Sequence, residues 1–335
     1  MSTTTKIEWT RSDDGSAGAT WNFITGCREV SEGCDNCYAK TFAERWRGVP
    51  GHPFEQGFDV RMWPERLVLP LRWRTPRRVF VNSMSDLWLG RVDTGLIARA
   101  FAVMAVAQRH TFQVLTKRPG RMRSVLGDDR FWQTVLTAAV ELGAAAAAVS
   151  AIEARRLPNL WLGVSVESQK WAPVRLDPLV DTTAGAVRFV SCEPLVGQVD
   201  LRPWLRGGLD WVIAGGESGP GARPMHPVWA ESLRDQCVES GAAFFFKQWG
   251  AFAPEELSVW VDQSGRPRGA LSVLDQHGQC WNGREHLAPA GAVRMRRVGK
   301  GRAGRVLGGR MWDQFPTADP GPALVSGIGA GAVGV

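Results

Sequence analysis

"ATWNFITGCREVSEGCDNCYAKTFAERWRG" occupies residues 19–48. Its opening, "TWNFITG" (20–26), is mostly apolar and reads as a buried strand. Three cysteines follow at once, Cys27, Cys34 and Cys37, spaced C-x6-C-x2-C, and the next cysteine is more than a hundred residues away. "NCYAKTFAERWRG" (36–48) then reads as a helix stopped at Gly48. Strand, thiol-bearing loop and helix make one β/α unit.

The rest of the chain repeats that alternation. "RVFVNSM" (78–84), "TFQVLT" (111–116), "LWLGVSV" (160–166), "VRFVSC" (187–192), "DWVIAGG" (210–216) and "AAFFFKQ" (242–248) all read as strands. Each run is nearly continuous in apolar residues, as a strand covered on both faces requires, so the sheet is expected to be parallel. Between them, "DTGLIARAFAVMAVAQ" (93–108) has an Asp cap and an apolar stripe, and "HPVWAESLRDQCVESG" (226–241) starts with Pro and ends at Gly. "AAVELGAAAAAVSAIEARR" (138–156) reads as a helical insertion. The expected fold class is α/β: a parallel (β/α) barrel of TIM-barrel type, partial, with six to seven strands and a basic C-terminal extension. An open doubly wound sheet is the alternative. The expected domains are a barrel over 1–250, the extension over 251–316 packed on it, and a disordered Gly/Ala-rich tail over 317–335.

With 335 residues, 44% of them hydrophobic and 22% charged, the chain has ordinary globular composition and enough apolar content for a large core. The N-terminal "MSTTTKIEWT" lacks the apolar stretch of a leader and no apolar run reaches membrane-spanning length, so the protein is expected to be cytoplasmic, with no membrane partner. Six cysteines in a chain this long are no disulfide framework. Cys192, Cys237 and Cys280 read as small buried hydrophobes. The net charge of +7 permits attraction to DNA or RNA. Residues 71–78, "LRWRTPRR", and 293–310, "VRMRRVGKGRAGRVLGGR", are the basic segments, and the glycines of the second suit a loop that follows a phosphate backbone. Most of the 16 tryptophans are expected in the core, while Trp63, Trp73 and Trp88 lie near basic segments and could stack bases.

Polar residues follow nearly every strand: Ser83, Ser85 and Asp86; Lys117 and Arg118; Ser165 and Glu167; Glu193; Glu217 and Ser218; Lys247 and Gln248. In a barrel these strand ends share one rim, where sites are built. Lys117 suits a carboxylate or phosphate. Ser165 and Glu167 suit ribose hydroxyls. Glu193 suits either pairing with Lys117, Arg118 or Lys247 across the rim or contact with a cofactor. Glu217 sits in a glycine-rich loop that lets backbone approach a ligand. Lys117, Glu193 and Glu217 are therefore the candidate catalytic residues. The three thiols suit a zinc ion with His52 as fourth ligand, a [4Fe–4S] cluster with one iron left open, or no metal at all. Their place after the first strand of a parallel unit favours the cluster over a zinc ribbon.

A three-cysteine loop after the first strand of a (β/α) barrel resembles the radical S-adenosylmethionine (radical SAM) enzymes. Through "TWNFITGC", "GCDNCYA", "FVNSMSDL", "FQVLTKRP", "LGVSVE", "SCEPL", "GGESG", "FFKQWG" and "GKGRAGRVL", the wider chain resembles a phage-associated family with a three-cysteine motif. The resemblance implies an iron–sulfur enzyme in which Cys27, Cys34 and Cys37 ligate the [4Fe–4S] cluster and the open iron holds SAM. One electron would then cleave SAM, and radical chemistry would begin on a substrate such as a nucleic acid or nucleotide. An electron-donor protein is implied as a partner, and a separate partner protein is compatible with it. Three departures stand out. The common spacing is C-x3-C-x2-C. The residue before the last cysteine is commonly aromatic but here is Asn36, leaving Tyr38 or Trp21 to face the adenine. The Gly-Gly-Glu run usual after the second strand comes late, at Gly215–Glu217, so Ser83, Ser85 or Asp86 takes the SAM-amino place. The rival readings are a zinc-containing nucleic-acid-binding protein without catalysis and a metal-independent barrel enzyme acting on a phosphorylated substrate.

Overall fold

The computed structural model describes residues 4–12, 14–257 and 268–317. The segment 20–26 is not one strand. It divides into β1 (Ala19–Trp21) and β2 (Ile24–Thr25), and β2 pairs antiparallel with β3 (Arg61–Met62). The cause is Asn82, whose side-chain oxygen accepts the Ile24 N–H (3.2 Å) in place of a ladder partner. β4 (Arg78–Val81), β5 (Thr111–Thr116), β6 (Leu157–Ser165), β7 (Gly185–Cys192), β8 (Trp211–Gly215) and β9 (Ala243–Gln248) complete the main sheet. Its seven strands lie in the order β1-β4-β5-β6-β7-β8-β9, and every neighbouring pair is parallel. Spatial order follows chain order without reversal, so each crossover runs the same way round and the sheet curls into a partial barrel. A doubly wound sheet would reverse its order partway.

The crossovers carry the helices. α1 (Tyr38–Glu44) follows the cysteine loop and is shorter than the sequence suggests, because Cys34 to Cys37 form turns first. α2 (Thr94–Val106) is capped by Asp93, whose carboxylate accepts the Leu96 N–H at 2.9 Å. Between β5 and β6 come α3 (Pro119–Leu126), α4 (Asp129–Glu141) and α5 (Ala146–Glu153). The expected insertion over 138–156 is thus the end of one helix and the whole of another, parted around Gly143. α6 (Trp171–Val180), α7 (Arg202–Leu205) and α8 (Pro227–Ser240) complete the set around the barrel.

After β9 the chain builds a small antiparallel sheet from β10 (Phe252–Pro254), β11 (Leu271–Leu274) and β12 (Val293–Arg297), in the order β10-β12-β11, followed by α9 (Lys300–Ala303). Residues 312–314 then run beside β9, where the Phe246 N–H donates to the Trp312 carbonyl (2.8 Å). That contact covers an edge otherwise open to pairing. The expected tail lies, from 318 onward, outside the described residues. No helix among the described residues is long and apolar enough to cross a membrane.

Alternation along the strands separates two cores. One side chain set, including Val79, Val81, Phe112, Val114, Leu162, Val212 and Phe244, packs against the helices. The other, Phe80, Trp161, Val187, Phe189, Trp211, Ile213 and Phe245, turns to the concave side and closes around Trp9. Trp9 comes from the N-terminal segment, and its ring meets Phe80 at 4.6 Å and Trp211 at 6.3 Å. The barrel interior is therefore filled with aromatic rings at its base. Trp211 lies at the centre of that set, fully buried, within 5.7 Å of both Trp161 and Phe189. Replacing it with alanine is expected to cost about 3–5 kcal/mol in urea unfolding, and a loss below about 1 kcal/mol would show that the lumen is not close-packed.

Candidate functional site

Gly26 ends the first strand segment at the rim. Its N–H donates to the Met84 carbonyl (3.0 Å), its φ is 83°, and a Cβ there would lie 2.3 Å from the Asp59 carbonyl oxygen. Only glycine lets the chain turn so tightly between β4 and the 57–60 loop. Cys27 follows, then the loop that carries Cys34 and Cys37 into α1.

The ends of four barrel strands hold this loop. Beyond β4, the Ser85 hydroxyl donates to the Gly26 carbonyl (2.6 Å), and the Tyr38 hydroxyl donates to the Ser83 carbonyl (2.7 Å). Beyond β5, Arg118 donates to the Arg28 carbonyl (2.7 Å) and lies 3.7 Å from the Cys27 sulfur. Beyond β6, Glu167 accepts from the Ser31 hydroxyl (2.9 Å), while Ser168 and Trp171 donate to Glu32 at 2.7 and 2.8 Å. Beyond β8, Glu217 accepts from Asn36 (3.1 Å) and from Arg223, which also donates to the Glu32 carbonyl (2.7 Å). Of the strand-end residues expected on one rim, Ser83, Ser85, Arg118, Glu167 and Glu217 thus meet the cysteine loop or the start of α1.

Most of these groups are engaged with one another. Asp86 accepts from Trp88 N, Thr116 Oγ1, Lys117 N and Arg118 Nη1 at 2.8–3.0 Å, which uses both of its oxygens. Glu167 is fully enclosed and pairs with Lys117 and with Arg175 (2.7 Å). Burial alone would raise its pKa, but the two cations hold the carboxyl below its usual range. Glu193 pairs with Lys247 at 2.6 Å, one of the expected partners, while Lys117 turns to Glu167 instead. Glu217 is bound by Arg223 on both oxygens. Ser83 accepts from Asn22 (3.1 Å), and Ser165 is buried with its carbonyl accepting from Arg175. Tyr38 leaves most of its ring exposed.

Arg175, Arg223 and Ser31 are not among the expected site residues, and Asn36 figures there only as a departure before Cys37, with no contact expected of it. A signal for Arg175 exists: it stands mid-helix among Ala172, Leu176 and Leu179, on the buried face, where an arginine must have a carboxylate partner. Nothing local marks the other three. Several expectations need correcting. Trp88 is fully buried, edge-on to Phe101, and offers no face for a base. Trp63 lies between the guanidinium groups of Arg61 and Arg66, at 3.8 and 3.7 Å, and Trp73 is half-buried beside His110. Cys192 and Cys237 are buried as expected, but Cys280 is exposed in the small sheet's turn. Residues 71–77 precede β4, at the barrel end opposite the rim, and Arg78, its first residue, is buried there over Trp161 and Phe315. Arg72 and Arg74 of the same segment are exposed. Residues 293–310 are not one loop. They comprise β12 and α9, and Arg294 and Arg296 both pair with Glu255.

The sequence model of the family described as protein of unknown function (DUF5131) matches residues 4–316. The chain belongs to that family. No curated protein matches it. Among solved structures, it is similar to spore photoproduct lyase complexed with dinucleoside spore photoproduct, at 12% identity and a TM-score of 0.40, over 72% of this chain and 80% of that one. A mutant of that lyase with bound AdoMet and dinucleoside spore photoproduct aligns at 10% identity and a TM-score of 0.38, over 86% and 70% of the two chains. Likeness at that level carries no conclusion about the chemistry of this DUF5131 chain.

The donor set itself can be judged. Cys27, Cys34 and Cys37 are free and half-buried, and soft thiolates suit zinc or an iron–sulfur cluster. The three sulfurs are not drawn together: among the described residues no group of three or more His, Cys, Asp or Glu side chains is arranged to hold a metal ion. The Cys27 thiol donates to the Arg28 carbonyl at 3.5 Å, and the Cys34 sulfur lies 4.0 Å from Ser31 Oγ. His52, the fourth zinc ligand in the rival reading, stacks on Trp46 (4.1 Å) and accepts the Phe54 N–H. The donors suit a cluster in kind, and ligation would require the loop to close around it, as metal sites often order on binding.

Burial, and next the Asp86 carboxylate, push the Cys27 thiol up to about 11 against the opposing pull of Arg118. The metal-free thiol is therefore protonated at neutral pH. Its alkylation by iodoacetamide, followed by peptide mass spectrometry, is expected to rise about tenfold per pH unit from pH 7 to 10. A plateau by about pH 9 would show an ordinary exposed thiol.

Proposed function

We propose that this DUF5131 protein is a radical SAM-type iron–sulfur enzyme. Cys27, Cys34 and Cys37 would hold a [4Fe–4S] cluster at the mouth of the partial barrel, with one iron left for SAM. The observation that carries the reading is the placing of three free thiols on one loop that four strand ends fasten to the same rim. When bound, the cluster would supply the electron that cleaves SAM to methionine and a 5′-deoxyadenosyl radical.

The chain's own residues divide the remaining work. Ser83, Ser165 and Tyr38 are proposed to contact SAM, the first two by hydroxyl groups and the third by its ring. Ser85, Asp86 and Glu167 would act by fixing the loop and its neighbours. Lys117 and Glu217 would serve through those contacts, and the Glu193–Lys247 pair would face the substrate. The aromatic filling around Trp9 closes the barrel base, so solvent and substrate would enter from the rim alone. The proposed substrate is a nucleic acid or nucleotide, and the net charge of +7 supports it. The segment 293–310 is the better contact, because Arg297 donates to the Gly219 and Pro220 carbonyls and Arg305 to that of Lys247, beside the rim. Reduction would come from an electron-donor protein.

Anaerobically purified protein is expected to be brown, to absorb broadly near ~400 nm and to carry about four irons per chain. Incubation with SAM and dithionite, with and without DNA or RNA, should yield 5′-deoxyadenosine. Cys27→Ala, Cys34→Ala and Cys37→Ala should each abolish iron loading, and His52→Ala should leave it intact. Colourless protein with stoichiometric zinc that is lost in His52→Ala would establish the rival reading instead.

A further inference from the structure

We propose that Glu167 is a positioning residue for the cysteine loop: its carboxylate, with Gly33 lying flush against it, sets where Cys34 stands at the barrel mouth. The consequence for iron rests on the cluster reading, while the placing of the thiol does not.

Glu167 has no freedom to move. Its side chain is wholly buried, one oxygen accepts from Arg175 at 2.7 Å, and the other is shared between Lys117 and the Ser31 hydroxyl at 2.9 Å. Arg175 is itself only 1% exposed, donates to the Ser165 carbonyl and lies 4.3 Å over the Trp171 ring. Cations from the end of β5 and from α6 therefore clamp the carboxylate from two sides, and releasing it would strand both charges out of water. A Cβ at Gly33 would lie 2.4 Å from the Glu167 Cγ and Oε1. A flexible acid would swing aside, but this one cannot, so the loop comes this close only because residue 33 has no side chain. Ser31 and Gly33 frame a single tight turn, in which the Cys34 N–H donates to the Ser31 carbonyl at 2.8 Å. The position of Cys34 follows from that contact. Cys27 is met from the other side by Arg118, which is itself paired with Asp86, and serves as an internal control.

The test uses the full chain, reduced and metal-free, with iodoacetamide labelling of each cysteine read by peptide mass spectrometry. Gly33→Ala should raise the Cys34 rate about five- to thirtyfold, the factor to which a loss of about 1–2 kcal/mol in holding the loop converts. The Cys27 rate and the thermal midpoint should hold. Ser31→Ala should act in the same direction, and the double variant should add little to Gly33→Ala, because both break one contact. Glu167→Gln keeps an acceptor for Ser31 but removes the charge, and should also free Cys34; should that variant fail to fold, the two loop variants still decide. An unchanged Cys34 rate in both loop variants, or an equal rise at Cys27, would overturn the proposal. Anaerobic iron loading is measured in parallel and should fall in Gly33→Ala. Wild-type protein that takes up no iron would remove the cluster reading and leave the labelling result to judge Glu167 alone.

Discussion

A carboxylate taken wholly out of water is tolerable only with full pairing, and Glu167 meets that demand with Lys117, Arg175 and Ser31. Those three partners come from β5, from α6 and from the cysteine loop. One buried charge thus ties a strand end, a helix and the thiol-bearing segment into a single rigid unit. Removing it would leave two cations without compensation and the loop without its stop. Asp86 plays a similar part on the neighbouring strands, where four donors converge on it, and Glu217 does so through Arg223.

This arrangement explains why the rim is so heavily charged and yet so little of it is free. A parallel barrel brings every strand's C-terminal end to one side, where unsatisfied backbone groups and polar side chains collect. Here that collection is spent largely on holding one irregular loop. The loop has little regular structure of its own, and its short 3₁₀ turn at Glu32–Cys34 buries none of its residues. Its order comes from outside, through contacts spread over four strand ends. The opposite end of the barrel is filled mainly by Trp9 and the rings around it, with Arg78 over Trp161 and Phe315 and Gln113 donating to the Trp9 carbonyl.

Much of the architecture was legible in the residues. The apolar runs at 78–84, 111–116, 160–166, 187–192, 210–216 and 242–248 each overlap a strand of the sheet, with β6 and β7 starting two to three residues earlier, since strands covered on both faces tolerate such continuity. The Asp93 cap was legible for the same local reason. The split of the first strand was not, because Asn82, 58 positions from Ile24, supplies the bond that causes it. Trp88 was misplaced because proximity in sequence to basic residues says nothing about depth in the fold. Arg78 belongs to a basic segment yet is buried, and its guanidinium lies over the Trp161 and Phe315 rings at the barrel base.

The sequence by itself determined the parallel β/α alternation, the three thiols on one loop after the first strand, and the row of polar residues that follows the later strands. Those features depend on neighbours within a few positions, where periodicity and spacing act directly. Only the tertiary structure decided which charge meets which: Lys117 with Glu167 rather than Glu193, Arg223 with Glu217, and Arg175 beneath them all. The first joins the ends of neighbouring strands 50 positions apart and is set by how those strands lie side by side in the barrel. The other two join residues six and eight positions apart, and depend on how a loop and the start of a helix fold back on the strand end, which spacing alone does not encode.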